Sequence, residues 1–452
     1  MTATAVRLGH SQITLDWSNL SRTSTPIYSQ FQEAWKALRE RVDRGDVGFY
    51  NAPIQNELSQ AAESQALADE ILRDPRFNDC LFLGIGGSAL GPASLLSSLR
   101  ERSKSRIRFH FVDNPDPLEW KSTLLTLNPE STLVCVVTKS GTTFETVSQM
   151  LLALEWLGKE RWKSHVVAIT DPTKGDLKEF ARQQGISTLH IAPSMGGRFS
   201  IFTPVGLFAA ALAGLSIKDF LKGSQEIREY LEKVPTEKNP LLILGHELIH
   251  YYPQRSVHVC MPYSTRLRSV GSWFSQLWGE SLGKDGKGFT PLAAVGATDQ
   301  HSILQLLRDG PDDKVTFFIT VDQVDDPVTI PRAPQPQGAG RFASFELLQG
   351  HTLQELLTVE YRATSLVLTR RNRPYLTFQL DRLDERALGA LYFSLSCLTA
   401  LTGILWGINP FDQPGVEEGK VYTRDALTAD KRSREEEADE NSPLARLRGD
   451  RS

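Results

Sequence analysis

The feature that most constrains this chain is a rhythm. Between about residue 78 and 215, short β-branched apolar runs (CLFLGIG, RIRFHFVD, TLVCVVTK, HVVAIT and TLHIA) alternate with stretches of helical composition at 89–99, 143–157 and 174–184. Alternation of that kind predicts a parallel sheet with helices on both faces. A second alternation begins near Pro240 and runs through SVHVCMPY, VTFFITVD and ATSLVLTR, read here as strands. The expected fold class is α/β, with two doubly wound parallel-sheet domains.

At 452 residues the chain exceeds the size at which one hydrophobic core keeps growing, which agrees with two domains. The reading divides it into an N-terminal helical segment at 1–60, a first α/β domain at 61–215 and a second at 216–408. A C-terminal active-site segment at 409–424 and a charged tail at 425–452 follow. PRAPQPQGAG at 331–340 reads as a surface loop of the second domain, and KRSREEEADENSPLARLRGDRS as a solvated tail.

Charge and cysteine usage exclude several classes. A formal net charge of -4 supplies no general attraction to nucleic acid or to an anionic membrane, so phosphate recognition must be local. Cys80, Cys135, Cys260 and Cys397 form no CxxC pair, which speaks against a zinc knuckle or a disulfide scaffold. No apolar leader opens the chain, and the expected location is the reducing cytoplasm. The uncharged stretch 387–408 is long enough to span a bilayer, but it stands alone and carries Ser394, Ser396, Thr399 and Thr402, so it reads as a buried core helix.

Two strand ends carry the chemistry. LGIGGSALGP at 83–92 is a Gly-rich turn into a helix, where free N–H groups and the helix dipole favour an anion. Gly84, Gly86 and Ala89 also satisfy a dinucleotide pattern, with Asp113 at the next strand end, so this motif alone leaves a dinucleotide and a sugar phosphate both open. TKSGTTFET at 138–146 favours the sugar phosphate. Ser88, Thr138, Ser140, Thr142 and Thr143 can converge on one phosphate outside the carboxyl ends of the strands, whereas helix capping needs only one hydroxyl.

These loops, followed in order by GGRFS at 196–200, GESLGKDGKG at 279–288, GATDQHS at 296–302 and FDQPGVEEGK at 411–420, resemble the phosphoglucose isomerase family. The similarity covers about residues 78–420, and it implies sugar-isomerase (SIS) type domains. It also implies interconversion of glucose 6-phosphate and fructose 6-phosphate through an enediolate, without cofactor or metal. Carried over by residue, the resemblance assigns the phosphate grip to Ser88, Thr138, Ser140 and Thr143, with backbone help near Gly87 and Lys139, and Thr142 and Gly197 are further candidate substrate contacts. It makes Glu280 the catalytic base, places Arg198 beside the enediolate, and makes His301 and Lys420 the ring-opening pair. Gln276 and Gln413 line the sugar. It further implies a homodimer in which His301 enters the neighbouring subunit's site. Leu282, where many members have Asn, and Pro414, where many have Trp, are departures that bear on pocket shape and on whether mannose 6-phosphate is also a substrate.

The residues support these roles chemically. Trp273, Phe274, Leu277 and Trp278 follow helical spacing and place Gln276 and Glu280 side by side at the edge of an apolar stripe, where partial desolvation makes a carboxylate a better base. Two glycines before Arg198 allow its guanidinium close approach to developing negative charge. HELIH at 246–250 matches a two-histidine zinc motif with Glu247 as base, but no third ligand follows, and the segment reads as a buried helix. A sugar-phosphate-binding protein without catalysis would keep the hydroxyl loops and need no base.

Overall fold

A computed structural model describes residues 5–20, 27–332 and 342–440, with side chains to 431. Most of the 331–340 loop and the last stretch of the tail lie outside the described residues. The chain forms two compact units, Met1–Pro410 and Phe411–Ser452. Both sheets belong to the first.

The first sheet holds five strands in the order β4 (Arg108–Val112), β3 (Asp79–Leu83), β5 (Thr132–Val137), β6 (Val166–Thr170) and β7 (Ser187–His190), all parallel. Strands β3, β5 and β6 are buried at every residue, which is why they read as continuous apolar runs. The chain passes from β3 to β4 on one side and returns to β5 on the other. The loops after β3 and β5, 84–86 and 138–143, therefore flank the point where the strand order reverses, the place where open α/β sheets bind ligands.

The second sheet has the expected parallel core, with two antiparallel strands added at one edge. Its order is β1 (Ala5–Arg7), β2 (Ile13–Asp16), β11 (Tyr375–Arg382), β10 (Lys314–Gln323), β8 (Val257–Pro262) and β9 (Thr290–Ala293). Strands β8 to β11 pair in parallel, but β2 joins β11 antiparallel and β1 joins β2 antiparallel, so this sheet is mixed. The segment 1–60, expected to be helical, thus supplies two edge strands before its helix Tyr28–Asp43. ATSLVLTR is not a strand either. It is the end of the 18-residue helix Leu353–Arg370, nucleated by a capping box between Thr352 and Glu355, and the strand follows it at Tyr375–Arg382.

The uncharged stretch lies in the helix Glu385–Leu405, started by Asp384, whose carboxylate accepts from Ala387 N at 2.8 Å. Its most apolar window is 89% buried against the rest of the fold, notably the helices Ile217–Lys233 and Pro240–His250, so it is a core helix. In the second unit the helix Pro414–Glu440 extends into the segment expected to be a solvated tail, and its described side chains are exposed.

Candidate active site

Site residues of the first unit come from four places. The first turn of the helix Gly87–Ser98, which follows β3, supplies Gly87 and Ser88, and the loop after β5 supplies Thr138, Lys139, Ser140, Thr142 and Thr143. The turn 196–200 supplies Gly197 and Arg198, and the helix Arg268–Leu282 supplies Gln276 and Glu280.

Glycine is required where these pieces meet. Gly86 has φ +57°, and a Cβ there would lie 2.8 Å from Gln276 Nε2. A Cβ on Gly87 would lie 2.1 Å from the Gly197 carbonyl oxygen. The two glycine turns thus pack backbone to backbone, and Ser200 Oγ joins them by donating to Gly197 O at 2.7 Å and Gly87 O at 3.2 Å. This brings the Gln276 side chain against the Gly-rich loop.

The hydroxyls after β5 form a cluster. Thr138 Oγ1 and Thr143 Oγ1 are 2.7 Å apart, and Ser140 Oγ lies 3.4 Å from each. Thr143 occupies the N-cap position of the helix Phe144–Leu157, yet its side chain makes no capping hydrogen bond. The Lys139 ammonium turns away and donates to Pro193 O at 2.7 Å and Met195 O at 2.8 Å, tying this loop to the segment that enters GGRFS. Burial lowers its pKa.

Arg198 is 2% exposed although it carries a permanent charge, so its burial requires partners. Nε donates to Ser281 Oγ at 2.7 Å, Nη2 to Pro410 O at 2.6 Å, and Nη1 lies 3.4 Å from Glu280 Oε2. On its other side Glu280 accepts from Gln276 Nε2 at 3.0 Å through Oε1, the neighbour relation expected one helical turn apart. Gln276 Oε1 is buried and has no hydrogen-bond partner among the described residues. The glutamate is held from two sides while 29% of its side chain stays exposed. Such a carboxylate is oriented by amide and guanidinium donors and still presents acceptor positions to a ligand.

His301 is not part of this cluster. It is exposed in the first turn of the helix Gln300–Asp309, beyond the edge strand β9, and among the described residues its side chain makes no hydrogen bond. Its neighbour Gln300 is fixed by Tyr263 Oη and Thr364 Oγ1, each 2.8 Å from Gln300 Oε1, so the helix start is anchored and His301 is presented outward. Gln413 and Lys420 belong to the unit Phe411–Ser452, in which Lys420 Nζ pairs with Glu417 at 2.7 Å. In HELIH, Glu247 is buried, His246 packs edge-on against Phe31 with centroids 5.6 Å apart, and His250 is exposed.

With this geometry in view, comparison with known proteins decides the family. The model of the family described as phosphoglucose isomerase matches residues 73–445. The chain belongs to the phosphoglucose isomerase family.

Family relatives include the glucose-6-phosphate isomerase of Rubrobacter xylanophilus, 39% identical over 91% of this chain and 97% of its own length. The glucose-6-phosphate isomerase of Carboxydothermus hydrogenoformans is 38% identical over 87% of this chain and 88% of its own. Among solved structures, a hypothetical protein from Thermus thermophilus superposes with TM-score 0.80 at 35% identity, covering 88% of this chain and 94% of that one. A glucose-6-phosphate isomerase from Chlamydia trachomatis shares the fold with TM-score 0.76 at 23% identity, over 98% of this chain and 91% of that one.

Of the two departures from the family pattern, Leu282 is fully buried, with its Cδ2 against Gly403, so it fills the core. Sequence reasoning missed Ser281 and Pro410. Ser281 stands inside the GESLGK motif beside Glu280, which was the one local signal, whereas nothing in the sequence pointed from Arg198 to Pro410.

Proposed function

We propose that this chain is a glucose-6-phosphate isomerase that interconverts glucose 6-phosphate and fructose 6-phosphate through an enediolate. The observation that carries this reading is the Gln276–Glu280–Arg198 cluster, in which an oriented carboxylate stands beside a buried guanidinium. It packs against the glycine loop at the reversal point of the first sheet. The names of the relatives supply the substrate.

In this mechanism the substrate phosphate sits on the loops after β3 and β5, on N–H groups at two helix starts and on the hydroxyls of Ser88, Thr138, Ser140, Thr142 and Thr143. The absence of a capping bond at Thr143 supports that role, because its hydroxyl clusters with Thr138 instead. Glu280 removes the proton at C2 of the open-chain aldose and returns it at C1 while a hydroxyl proton passes from O2 to O1, which moves the carbonyl without a redox partner. Arg198 stabilises the negative charge that develops on the enediolate oxygen, at no reorganisation cost because its donors are already fixed. The buried, unpartnered Gln276 Oε1 is available to accept from a sugar hydroxyl.

Ring opening requires a group that exchanges a proton with the sugar, the role that the resemblance gives to His301. Its exposure and its separation from the Glu280 cluster within the chain support a homodimer in which each His301 serves the partner's site. The roles implied for Gln413 and Lys420 rest on the resemblance alone. Four unpaired, buried cysteines support a reducing, cytoplasmic setting.

The test is a coupled assay of purified protein with fructose 6-phosphate after exhaustive EDTA treatment. Formation of glucose 6-phosphate without added metal or cofactor is the expected result. Absence of turnover with intact binding of the sugar phosphate would instead make the chain a non-catalytic binding protein.

A further inference from the structure

The motif GESLGKDGKG contributes more than Glu280. Immediately after the glutamate, Ser281 is fully buried, and its hydroxyl oxygen accepts the Arg198 Nε–H at 2.7 Å. Three and six residues further on, Lys284 and Lys287 reach the turn that follows the helix Glu385–Leu405. Lys284 Nζ donates to Asn409 O, and Lys287 Nζ donates to Trp406 O at 2.9 Å. The next carbonyl in that turn, Pro410 O, accepts from Arg198 Nη2 at 2.6 Å. A single stretch of eight residues, 280–287, therefore touches Arg198 directly through Glu280 and Ser281, and indirectly through two ammonium groups that hold other carbonyls, Trp406 O and Asn409 O, of the turn that carries Pro410.

We infer that Ser281, Lys284 and Lys287 are positioning residues that aim the Arg198 guanidinium. This rests on the reading of Arg198 as the group that stabilises the enediolate. The physical reason is the planarity of the guanidinium. Its donors point in fixed directions, so an acceptor at Nε and another at Nη2 set the plane and leave the Nη1 edge directed at Glu280. Two hydrogen bonds to Arg198 itself restrict rotation about the guanidinium far more than one does. The lysines act on the second of these, because a carbonyl in a turn without such ties would be free to shift. Both also place positive charge at the carboxyl end of a 21-residue helix, where the dipole favours it.

A positioning role makes a demand that plain structural support does not. Loss of aim should appear in kcat rather than KM, because the guanidinium meets full negative charge only in the transition state. Misplacement of a catalytic group by a fraction of an ångström to an ångström costs roughly ten- to hundredfold in rate. The effect should also vanish once Arg198 itself is altered, because the Ser281 hydroxyl is bonded to Arg198.

The experiment is a double-mutant cycle on the full chain with Ser281→Ala and Arg198→Lys, with Lys287→Met as an independent variant. Each is assayed for kcat and KM with fructose 6-phosphate, and folding is checked by a cooperative thermal transition. Expected are a roughly ten- to hundredfold fall in kcat for Ser281→Ala, a smaller fall for Lys287→Met, and KM within about twofold for both. Adding Ser281→Ala to Arg198→Lys should cost nothing further in kcat. The inference is overturned if Ser281→Ala keeps full kcat while Arg198→Lys loses it, or if the serine costs as much in the Arg198→Lys background as in the wild type. If Arg198→Lys itself leaves kcat unchanged, the assignment of Arg198 fails, and the positioning role fails with it.

Discussion

The Thr143 hydroxyl, at the start of a helix it does not cap, lies 2.7 Å from the hydroxyl of Thr138. Two hydroxyls facing each other, with Ser140 3.4 Å from both, form a compact set of donors around one point at the end of β5.

Thr143→Ala and Ser140→Ala should each raise KM and leave kcat nearly unchanged, since the phosphate is gripped equally in the ground and transition states. A hydrogen bond to a charged group is typically worth about 1.5–3 kcal/mol, so each substitution should cost roughly ten- to hundredfold in KM. Steady-state kinetics decides this, and unchanged KM in both variants would move the phosphate elsewhere.

Gly87→Ala should destabilise the protein, because the new Cβ would fall 2.1 Å from a backbone oxygen of the opposing glycine turn, which has no side chain to swing aside. Forced overpacking of this kind costs about 1–3 kcal/mol. Gly197→Ala is the control, since a Cβ there meets nothing within 4 Å. Thermal unfolding should separate the two, with a clear drop in Tm for the first and a shift within about 0.5 kcal/mol for the second.

His258 gives the fold a pH dependence of known sign. Its ring is fully buried, its Nδ1 accepts from the Trp278 indole N–H at 3.1 Å, and burial pushes its pKa down from 6.5 to about 3. The unfolded chain therefore binds a proton that the native state refuses between pH 6.5 and about 3, and stability falls as pH falls through that window. Each pH unit below the unfolded value should cost about 1.4 kcal/mol from this group. Chemical denaturation at pH 7, 6 and 5 should show the decline, and His258→Gln should flatten it.

If His301 serves the partner's site, inactive chains should complement each other. A hybrid dimer of Glu280→Gln and His301→Ala chains contains one site carrying both substitutions and one carrying neither. Random re-pairing of equal amounts should restore about a quarter of wild-type activity from two inactive preparations. No recovery, with hybrid formation confirmed by differential tagging, would place His301 in its own chain's site.

How much of this was legible in the sequence follows from the range of the interactions. The strands of the first sheet were readable because each is buried on both faces and so forms a local apolar run. Gln276 and Glu280 were readable as neighbours because one helical turn separates them. Strand β2 was not, since a four-residue strand is specified by pairing with β11, more than 350 residues away, and the three-residue β1 pairs only with β2. ATSLVLTR misled because its aliphatic density suits a strand, whereas the capping box that makes it helical lies eleven residues upstream at Thr352. The partners of Arg198, 83 and 212 residues away, left no local pattern pointing to them.

The sharpest consequence of the proposed mechanism concerns Glu280→Gln. The amide keeps the size of the carboxylate, and its oxygen can still accept from Gln276 Nε2 or Arg198 Nη1, so the geometry around it should persist. Substrate should bind with near-normal KM, because the hydroxyl loops are untouched. What is lost is the group that accepts a proton, and removal of a positioned general base typically costs on the order of 10² to 10⁴ in rate, here in kcat. Isotope exchange gives a second readout, independent of rate. In deuterated water the wild-type enzyme should place some solvent deuterium at the transferred position, since a carboxylate holding the abstracted proton can exchange it before returning it. The glutamine variant should incorporate almost none, while ring opening, followed by loss of anomeric preference in the bound sugar, continues. Near-normal kcat in Glu280→Gln would remove this residue as the base, and with it the meaning assigned to the Arg198 contact.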